Sequence, residues 1–448
     1  MSKNAVSRNP ASGNHTSAKQ GDTLPAGPGK RRFSRGIRVP VWILSAAVIL
    51  SAPGARASTA LGSGTLPPLV FNMAPAPGRN PQLALQEAAS EFLLNWVDGD
   101  GRVVRRDQGN DTVSEGQAYG MLIAAAVGDE KTFQKIWDWT RAHLMRSDGL
   151  LAWHWANGAV MDSSPASDAD LDAARALAMA GTLFGRADFA ADGRHLAGQI
   201  MDKLTTMTVH GRILLPGPWA DQHAGISYNP SYASPAAFAV LARSTGDPRW
   251  QELSTGTAAV AAELLSTNLL LPDWARIRSD GSIQPVDSPN GNGPGRYSYD
   301  AARAMVRMGE SCLPADVAVA ANSAGTLASS QQGSPLTLHG APYSEEEHPL
   351  FYVARAAALA AANRPAAART NLDRAETLND AHPSYYGAAW TALGRIYLDS
   401  PVLGGRPALW QTSCASADVR SVVEVAGFLQ QHQGDQGQHG HGGQVHAH

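Results

Sequence analysis

Three acidic residues of this sequence stand where apolar helices are predicted to begin. Glu115 lies in DTVSEGQAYGMLIAAAV, Asp168 in PASDADLDAARALAMAGTLF and Asp300 in RYSYDAARAMVRMG. Positioned carboxyl groups can serve as general acids and general bases, so these residues are candidates for catalysis. Each of them also fits a structural role, because an acid in a first helical turn interacts favourably with the helix dipole.

Helix-capping signals surround the three acids. Ser114 and Gln117 have the spacing of a capping box, in which both side chains satisfy free amides of the first turn. Ser167 is a candidate cap before Asp168, and Asp300 lies in a first turn behind Ser298. The sequence around Glu115 therefore favours a structural role at the start of a helix. A catalytic role needs support from other parts of the sequence.

Helical periodicity recurs along the chain, interrupted by loops rich in Gly, Pro, Asn and Asp. Some segments, such as GQAYGMLIAAAV, are apolar on nearly all sides, whereas EKTFQKIWDWTRAHL has a polar face. This alternation predicts an all-α fold with an inner ring of helices inside an outer one. Strand-like alternation is limited to short pieces such as GRILLPG, so no sheet of consequence is expected. About twelve helices are predicted, near residues 83–96, 116–127, 130–144, 168–184, 189–206, 234–243, 249–266, 299–308, 314–329, 349–362, 365–378 and 384–398.

A ring of buried helices would bring the three acids together. If those helices form one ring, their N-terminal ends open on the same face. Glu115, Asp168 and Asp300 would then converge on a single cleft.

The loops nearest these acids are rich in aromatic side chains. For any single ring, packing in the core or at its rim is the alternative to binding. Together, rings beside carboxylates can stack on the apolar faces of sugars while acids and amides meet the hydroxyl groups. The pattern therefore indicates a polysaccharide cleft. The aromatic residues are Trp153, Trp155, Trp219, Tyr228, Tyr232, Trp274, Tyr297, Tyr299, Tyr385 and Tyr386.

Length and charge limit the class of protein. A chain of 448 residues with 44% hydrophobic content can bury a large core. The formal net charge of -3 provides no basic field that would attract nucleic acid, so no nucleic-acid partner is expected.

Residues 1–57 predict a leader and a signal peptide. The basic cluster KRRFSRGIR precedes the apolar run VPVWILSAAVIL, which is too short to span a bilayer comfortably. Ala55, Arg56 and Ala57 offer a small-residue cleavage site. We therefore predict export to the periplasm or the medium, with cleavage after Ala57. An uncleaved membrane anchor is the alternative.

The remaining chain divides into three predicted parts. Residues 58–79 form a linker, residues 80–430 the helical domain, and residues 431–448 a disordered tail rich in His, Gly and Gln. A catalytic metal in that tail is not expected, because a flexible segment cannot hold fixed ligand geometry. Cys312 and Cys414 are candidates for a disulfide in an oxidising compartment.

An ordered set of motifs resembles glycoside hydrolase family 8, and most of all its endoglucanases that accompany bacterial cellulose synthesis. The motifs are TVSEGQAYGM, ASDAD, NPSY, PDW, SYDAAR and SYYG, within residues 80–400. The resemblance implies an (α/α)6 barrel whose loops form a glucan-binding cleft, in agreement with the helix count. It also implies endo-acting hydrolysis of β-1,4-glucan with inversion, without a cofactor or metal. The implied partners are the glucan and a cellulose synthase complex, and we expect a monomer.

The resemblance further implies roles for individual residues. Glu115 matches the general acid and Asp300 the general base, which activates water on the opposite face of the sugar. Asp168 would hold the sugar at the cleavage point, and Arg303 would orient the base. The predicted substrate-binding residues are Asp168, Trp153, Trp155, Asn229, Tyr232, Tyr299, Arg303, Tyr385 and Tyr386.

Other classes of protein stay open at this point. The same fold can act on chitosan, xylan or mixed-linkage glucan, or can cleave uronate chains by elimination. A lyase would need a cleft lined with Lys and Arg, and these loops offer acids and aromatic rings instead. A non-catalytic glucan-binding protein is the second alternative, and the presence of all three acids argues against it.

Overall fold

A computed structural model describes residues 80–222, 225–330 and 332–410. The predicted leader, the linker 58–79, the stretch 411–430 and the tail lie outside these residues. Cys312 is disulfide-bonded, and Cys414, the other half of the predicted pair, lies outside the described residues. No helix in the described ranges is both long and apolar enough to cross a membrane.

The prediction of about twelve helices is confirmed, because the described residues form twelve α-helices. No predicted end is displaced by more than three residues. The helices are α1 (Pro81–Trp96), α2 (Ser114–Ala126), α3 (Glu130–His143), α4 (Ser167–Leu183), α5 (Ala187–Lys203), α6 (Pro235–Thr245), α7 (Arg249–Leu265), α8 (Tyr299–Gly309), α9 (Pro314–Ser329), α10 (Pro349–Ala361), α11 (Pro365–Ala381) and α12 (Tyr385–Asp399).

The helices form two concentric rings. The even-numbered helices are buried on nearly all sides, and each contacts the next even-numbered helix until α12 closes the ring against α2. Each odd-numbered helix from α3 to α11 packs outside the helix that precedes it, and α1 packs outside α12. The fold is therefore an (α/α)6 barrel, and the predicted inner and outer rings are confirmed.

The sequence explains which helices lie outside. On α3, the buried residues Phe133, Ile136 and Trp137 recur at helical spacing, and the opposite face is charged. Asp129 caps this helix by accepting a hydrogen bond from Thr132 N at 3.0 Å. The inner helix α2 instead carries small residues. A Cβ at Gly120 would lie 3.0 Å from the side chain of Ile136, so glycine permits the close approach of α2 and α3.

Short antiparallel strands occupy the loops, which corrects the expectation that sheets are of no consequence. Each strand has two to four residues, too few for alternation to stand out in the sequence. Strands β6 to β9 form a four-stranded sheet, and the predicted strand GRILLPG contains β5. The strands are β1 (Thr112–Val113), β2 (His154–Ala156), β3 (Ala159–Asp162), β4 (Thr205–Thr208), β5 (Gly211–Leu214), β6 (Asp221–Gln222), β7 (Gly225–Tyr228), β8 (Trp274–Ile277), β9 (Ile283–Val286), β10 (Arg296–Tyr297) and β11 (Leu336–Thr337).

Two buried ion pairs join α4 to α8 and to Glu310, the residue that directly follows α8. Arg307 donates hydrogen bonds to both carboxylate oxygens of Asp172, at 2.8 and 2.6 Å. Arg175 does the same with Glu310, at 2.9 and 2.7 Å. All four side chains are at most 2% exposed. Removing one partner of such a pair leaves an uncompensated buried charge, at a cost of roughly 3–5 kcal/mol. These pairs fix the register of two inner helices that carry predicted site residues.

Candidate active site

The three predicted acids occupy equivalent places in the barrel. Glu115, Asp168 and Asp300 are each the second residue of an inner helix, in α2, α4 and α8. Because alternate helices of the barrel run in the same direction, these helix starts share one end of it. The carboxylates therefore enter the barrel mouth from three sides.

Arg303, one turn into α8, contacts all three carboxylates. Its Nη1 donates hydrogen bonds to Glu115 Oε1 and, at 3.0 Å, to Asp168 Oδ2. Its Nη2 donates to Asp300 Oδ1 at 2.6 Å. The structure thus shows the predicted convergence, and one guanidinium group separates Glu115 from Asp300.

Exposure distinguishes the carboxylates from one another. The side chains of Glu115 and Asp300 are 22% and 21% exposed, whereas that of Asp168 is only 5% exposed. Two acids are therefore accessible from the cleft, and the third lies beneath them. Burial raises the pKa of Asp168 to about 6, with Arg303 opposing the shift and Glu115 adding to it.

Tyr119 is a site residue that the sequence reasoning missed. Its hydroxyl donates a hydrogen bond of 2.7 Å to Glu115 Oε1 and accepts one of 3.3 Å from Arg303 Nη1. A signal was present in the sequence, because residues four apart on a helix lie on the same face. The tyrosine and the arginine together hold one oxygen of Glu115 in place.

The predicted capping box at α2 is wrong. The helix starts with Ser114 itself, directly after β1, and Ser114 N donates to Trp153 O at 2.9 Å. Gln117 instead joins α2 to its surroundings: its Oε1 accepts from Val103 N at 2.5 Å and its Nε2 donates to Thr140 Oγ1 at 2.8 Å. Strand pairing, rather than a side-chain cap, sets the position of Glu115.

The predicted serine cap of α4 is also wrong. Ser167 lies within α4, and its buried hydroxyl has no hydrogen-bond partner among the described residues. Ser298 does occupy the N-cap position of α8, but the capping acceptor is Asp273. Its Oδ1 accepts from Ser298 N at 2.8 Å and from Ala301 N at 2.9 Å. A distant residue therefore caps the helix that carries Asp300.

Tyr299 and Tyr386 are half-buried rings at the barrel mouth. Their ring centroids lie 6.1 Å apart, and Tyr299 also packs against His348 at 5.1 Å. The Tyr299 hydroxyl donates to Glu346 Oε1 at 2.7 Å. The negative charges of Glu115 and Asp300 add to the burial that raises the pKa of Tyr386, so this ring lies close to the acids.

Tyr385 lies in the core rather than in an open cleft. It is 1% exposed and packs against Phe92 and Trp96, at centroid distances of 6.2 and 6.1 Å. A Cβ at Gly116 would lie 2.8 Å from its hydroxyl oxygen, so only glycine fits there. The ring therefore contacts the backbone next to Glu115.

The two tryptophans of the LLAWHWANG loop have different surroundings. Trp153 is half-buried and stacked on His154, with a centroid distance of 4.7 Å. Trp155 lies under the Arg102 guanidinium, at 4.4 Å, and meets the edge of Trp139 at 5.3 Å. Trp155 thus makes packing contacts that Trp153 lacks.

Asn229 and Tyr232 are buried behind the cluster. The Arg303 guanidinium lies 5.6 Å from the centroid of the Tyr232 ring, which in turn packs against Trp274 at 6.1 Å. Asn229 Oδ1 accepts a hydrogen bond from Ser231 N at 2.9 Å, and its Nδ2 has no partner within the described part of the chain. Tyr232 therefore supports Arg303 from below, and Asn229 retains a free donor.

Two accessible carboxylates and a buried third thus lie at the mouth of a six-fold barrel of paired helices, and a pair of carboxyl groups is what hydrolysis of a glycosidic bond requires. Residues 83–399 match the family model for Glycosyl hydrolases family 8. The chain belongs to this family, which confirms the resemblance found in its motifs.

Relatives and solved structures agree with this assignment. A "Probable endoglucanase" of Novacetimonas hansenii is 33% identical over 219 residues, covering 47% of this chain and 63% of the relative. An "Endoglucanase" of Pseudomonas fluorescens (strain SBW25) is 30% identical over 237 residues, covering 49% and 58%. These matches span less than two thirds of either relative. The structure of the endo-beta-1,4-glucanase CMCax from Acetobacter xylinum is similar with a TM-score of 0.59 and 25% identity, covering 71% of this chain and 98% of that one.

Proposed function

We propose that this protein is an endo-acting β-1,4-glucanase. The observation that carries the proposal is the pair of accessible carboxylates, Glu115 and Asp300, held on opposite sides of the Arg303 guanidinium. The endoglucanase names of its relatives support the choice of substrate.

We further propose that the reaction inverts the anomeric configuration. Asp300 accepts a proton from a water molecule, and the water oxygen attacks the anomeric carbon. The bond to the leaving oxygen breaks, and that oxygen takes the proton of Glu115. An inverting pair needs a gap of roughly 6.5–9.5 Å between its carboxyl groups to admit the water. A guanidinium between the two carboxylates is consistent with such a gap.

Asp168 has a different task in this mechanism. It lies deeper than the other two acids and shares Arg303 Nη1 with Glu115. A carboxylate in that place can accept hydrogen bonds from sugar hydroxyl groups at the cleavage point. Such bonds help to hold the distorted ring of the transition state.

Aromatic rings provide the remaining contacts with the glucan. Trp153, Tyr299 and Tyr386 are half-buried, so each has a ring surface available for stacking on a sugar. Such ring surfaces can bind the sugar units of a glucan chain on either side of the bond that is cleaved. This is what internal cleavage of a polymer requires.

The cellular setting is also part of the proposal. The basic and apolar segments within residues 30–57 support export to the periplasm or the medium. The motif resemblance supports a role beside a cellulose synthase complex, with the enzyme acting as a monomer.

Product analysis tests the proposed reaction. The purified protein is incubated with carboxymethyl cellulose, chitosan, xylan and mixed-linkage glucan, and fresh digests of cello-oligosaccharides are followed by proton NMR. We expect the fastest release of reducing ends from carboxymethyl cellulose, a rapid drop in its viscosity, and α-anomers as the first products. Initial β-anomers would contradict inversion. Faster hydrolysis of another polymer would contradict the proposed β-1,4-glucan substrate. No hydrolysis of any of the four polymers would favour a non-catalytic glucan-binding protein.

A further inference from the structure

We propose that Asp273 is a positioning residue that holds the base Asp300 through the first turn of α8. This inference rests on the proposed function, since it assigns Asp300 the role of base. Asp273 lies just before β8, in the loop that follows α7, and its carboxyl group binds the first turn of α8.

The two residues that Asp273 binds lie on either side of Asp300 in the sequence. Asp273 Oδ1 accepts from the backbone N–H groups of Ser298 and Ala301, at 2.8 and 2.9 Å. Asp300 lies between these two residues. The first amides of a helix have no partner within the helix, and a residue at the N-cap usually supplies the acceptor. Here the Ser298 side chain makes no capping bond within the described residues, so the cap comes from Asp273.

The backbone around Asp273 is itself fixed. Asp273 N donates to Arg296 O at 2.8 Å, and Asp273 Oδ2 lies 3.6 Å from Arg296 Nε. The carboxyl group is only 8% exposed. The acceptor of the cap is therefore held by the strand that leads into α8, and it cannot rotate freely into solvent.

The neighbouring residue connects the same loop to Arg303. Trp274 packs against Tyr232, whose ring lies beneath the Arg303 guanidinium. One short segment thus supports Asp300 through its helix start and Arg303 through an aromatic ring.

The capping role does not depend on the charge of Asp273. Burial, followed by the nearby charge of Asp300, raises the pKa of Asp273 to about 7. Its Oδ1 accepts hydrogen bonds whether or not the group carries a proton. An asparagine at this position can therefore preserve the cap, whereas a glutamate keeps the charge and moves the acceptor.

Three substitutions at Asp273 test the proposal. A displacement of a catalytic group by about 1 Å can cost on the order of 100-fold in rate. We therefore expect Asp273→Ala to lower kcat on cello-oligosaccharides by on the order of 100-fold, with KM nearly unchanged. Asp273→Asn should restore most of kcat, and Asp273→Glu should not. A higher kcat for Asp273→Glu than for Asp273→Asn would overturn the proposal. This comparison remains decisive if Asp273→Ala does not fold.

A matched control separates positioning from stability. Asp316 is also a buried acid in a first helical turn, where it accepts a hydrogen bond of 2.6 Å from Ser311 Oγ, but it lies on the outer helix α9. Asp316→Ala should lower the melting temperature and leave kcat unchanged. Equal losses of kcat in Asp273→Ala and Asp316→Ala would show that stability alone is responsible.

A double variant shows whether Asp273 acts through the base. If it does, adding Asp273→Ala to Asp300→Ala should not lower the residual activity further. A further drop would overturn the proposal. The outcome is distinguishable from a failure of the proposed function, because a wild-type protein that hydrolyses no glucan, or that releases β-anomers, would refute the function without any variant at Asp273.

Discussion

Arg303 Nη1 lies 3.0 Å from Asp168 Oδ2, and the same nitrogen donates to Glu115. Two acids of different helices thus share one nitrogen of a residue from a third helix. Like charges so close to one another repel, and the buried guanidinium offsets that repulsion. The arrangement makes Arg303 the residue on which the geometry of the whole cluster depends.

We expect Arg303→Lys to inactivate the enzyme although it retains the charge. An ammonium is a compact point charge and cannot present two nitrogens to three carboxylates in the geometry of a guanidinium. The expected loss of kcat/KM is on the order of 100-fold or more. Steady-state kinetics on cello-oligosaccharides measure it.

Arg307→Lys is the matched control for that substitution. Arg307 lies one turn below Arg303 on α8 and binds Asp172 through two hydrogen bonds. Its replacement should lower stability and reduce kcat far less than Arg303→Lys, because Arg307 donates its hydrogen bonds to Asp172 and not to the three site carboxylates. If Arg303→Lys kept near-normal turnover, the charge alone would be sufficient and the fixed geometry would not matter.

Glu115→Gln should abolish hydrolysis and leave the binding of cello-oligosaccharides nearly intact. The amide keeps the shape of the side chain, and its oxygen still accepts the hydrogen bond from Tyr119, but it has no proton to give to the leaving oxygen. Turnover assays and titration calorimetry on the same preparation measure the two effects. A variant that retained a large fraction of kcat would show that another group is the acid.

Periodicity in the sequence was sufficient to predict an all-α fold with two rings of helices, whereas the six-fold barrel was implied by the motif resemblance. The inner helix α2 is a run of small apolar residues, GQAYGMLIAAAV, and the outer helix α3 has a polar face. Both patterns arise from burial, which acts on every residue of the helix. The approximate boundaries of a helix and its place in one of the two rings therefore follow from local sequence.

The contacts that build the site are not local, and the sequence did not predict them. The residue that caps α8, Asp273, lies 25 positions before the Ser298 N–H that it binds. Gln117 has the spacing of a capping box, yet it binds Thr140 of α3. A local rule predicts a local partner, whereas the barrel brings together residues whose separation along the chain carries no pattern. The convergence of the acids was predictable only because they occupy equivalent places in repeated helices.

Asp300→Ala should be nearly inactive and should regain activity in azide. Azide fits beside the anomeric carbon where the base had held the water, and it needs no proton removed. The product of rescue should be an α-glycosyl azide, opposite in configuration to the substrate, identified by proton NMR. Asp168→Asn should lose activity without rescue, because Asp168 holds the sugar. If azide restored activity to Asp168→Asn and not to Asp300→Ala, then Asp168 would be the base and Asp300 would hold the sugar.

The two tryptophans of the same loop should respond differently to substitution by alanine. Trp153→Ala should raise KM for long oligosaccharides and lower the melting temperature less than Trp155→Ala does, because the half-buried Trp153 ring stacks on His154 and its side chain is hydrogen-bonded to Asp162. Trp155→Ala should also cost about 2 kcal/mol of stability, since its ring packs against Trp139 and Arg102. Kinetics on oligosaccharides of increasing length and thermal melts measure both effects. Equal KM values for wild type and Trp153→Ala would show that the Trp153 ring packs within the protein and does not bind the glucan.

The burial of Asp168 should make the free energy of unfolding depend on pH. Burial raises the pKa of this group from 3.8 to about 6 in the folded protein, so the folded state binds the proton more tightly than the unfolded state. The stability that Asp168 contributes is then complete below about pH 3.8 and is lost as the pH rises through 6. Asparagine does not titrate. The free energy of unfolding of the wild type, relative to Asp168→Asn, should therefore fall by about 2 to 3 kcal/mol between pH 4 and pH 7.

Asp148 provides a control of opposite sign for this measurement. A hydrogen bond from Arg146 lowers the pKa of Asp148 from 3.8 to about 2, so its contribution to stability changes only below pH 4. The difference between wild type and Asp148→Asn should be flat between pH 4 and pH 7, as measured by urea denaturation at each pH. If the Asp168 difference were flat as well, burial would not dominate at this site. If it grew in favour of aspartate with rising pH, the attraction of Arg303 would outweigh the burial of Asp168, and the carboxylate would be ionised throughout the range in which the enzyme acts.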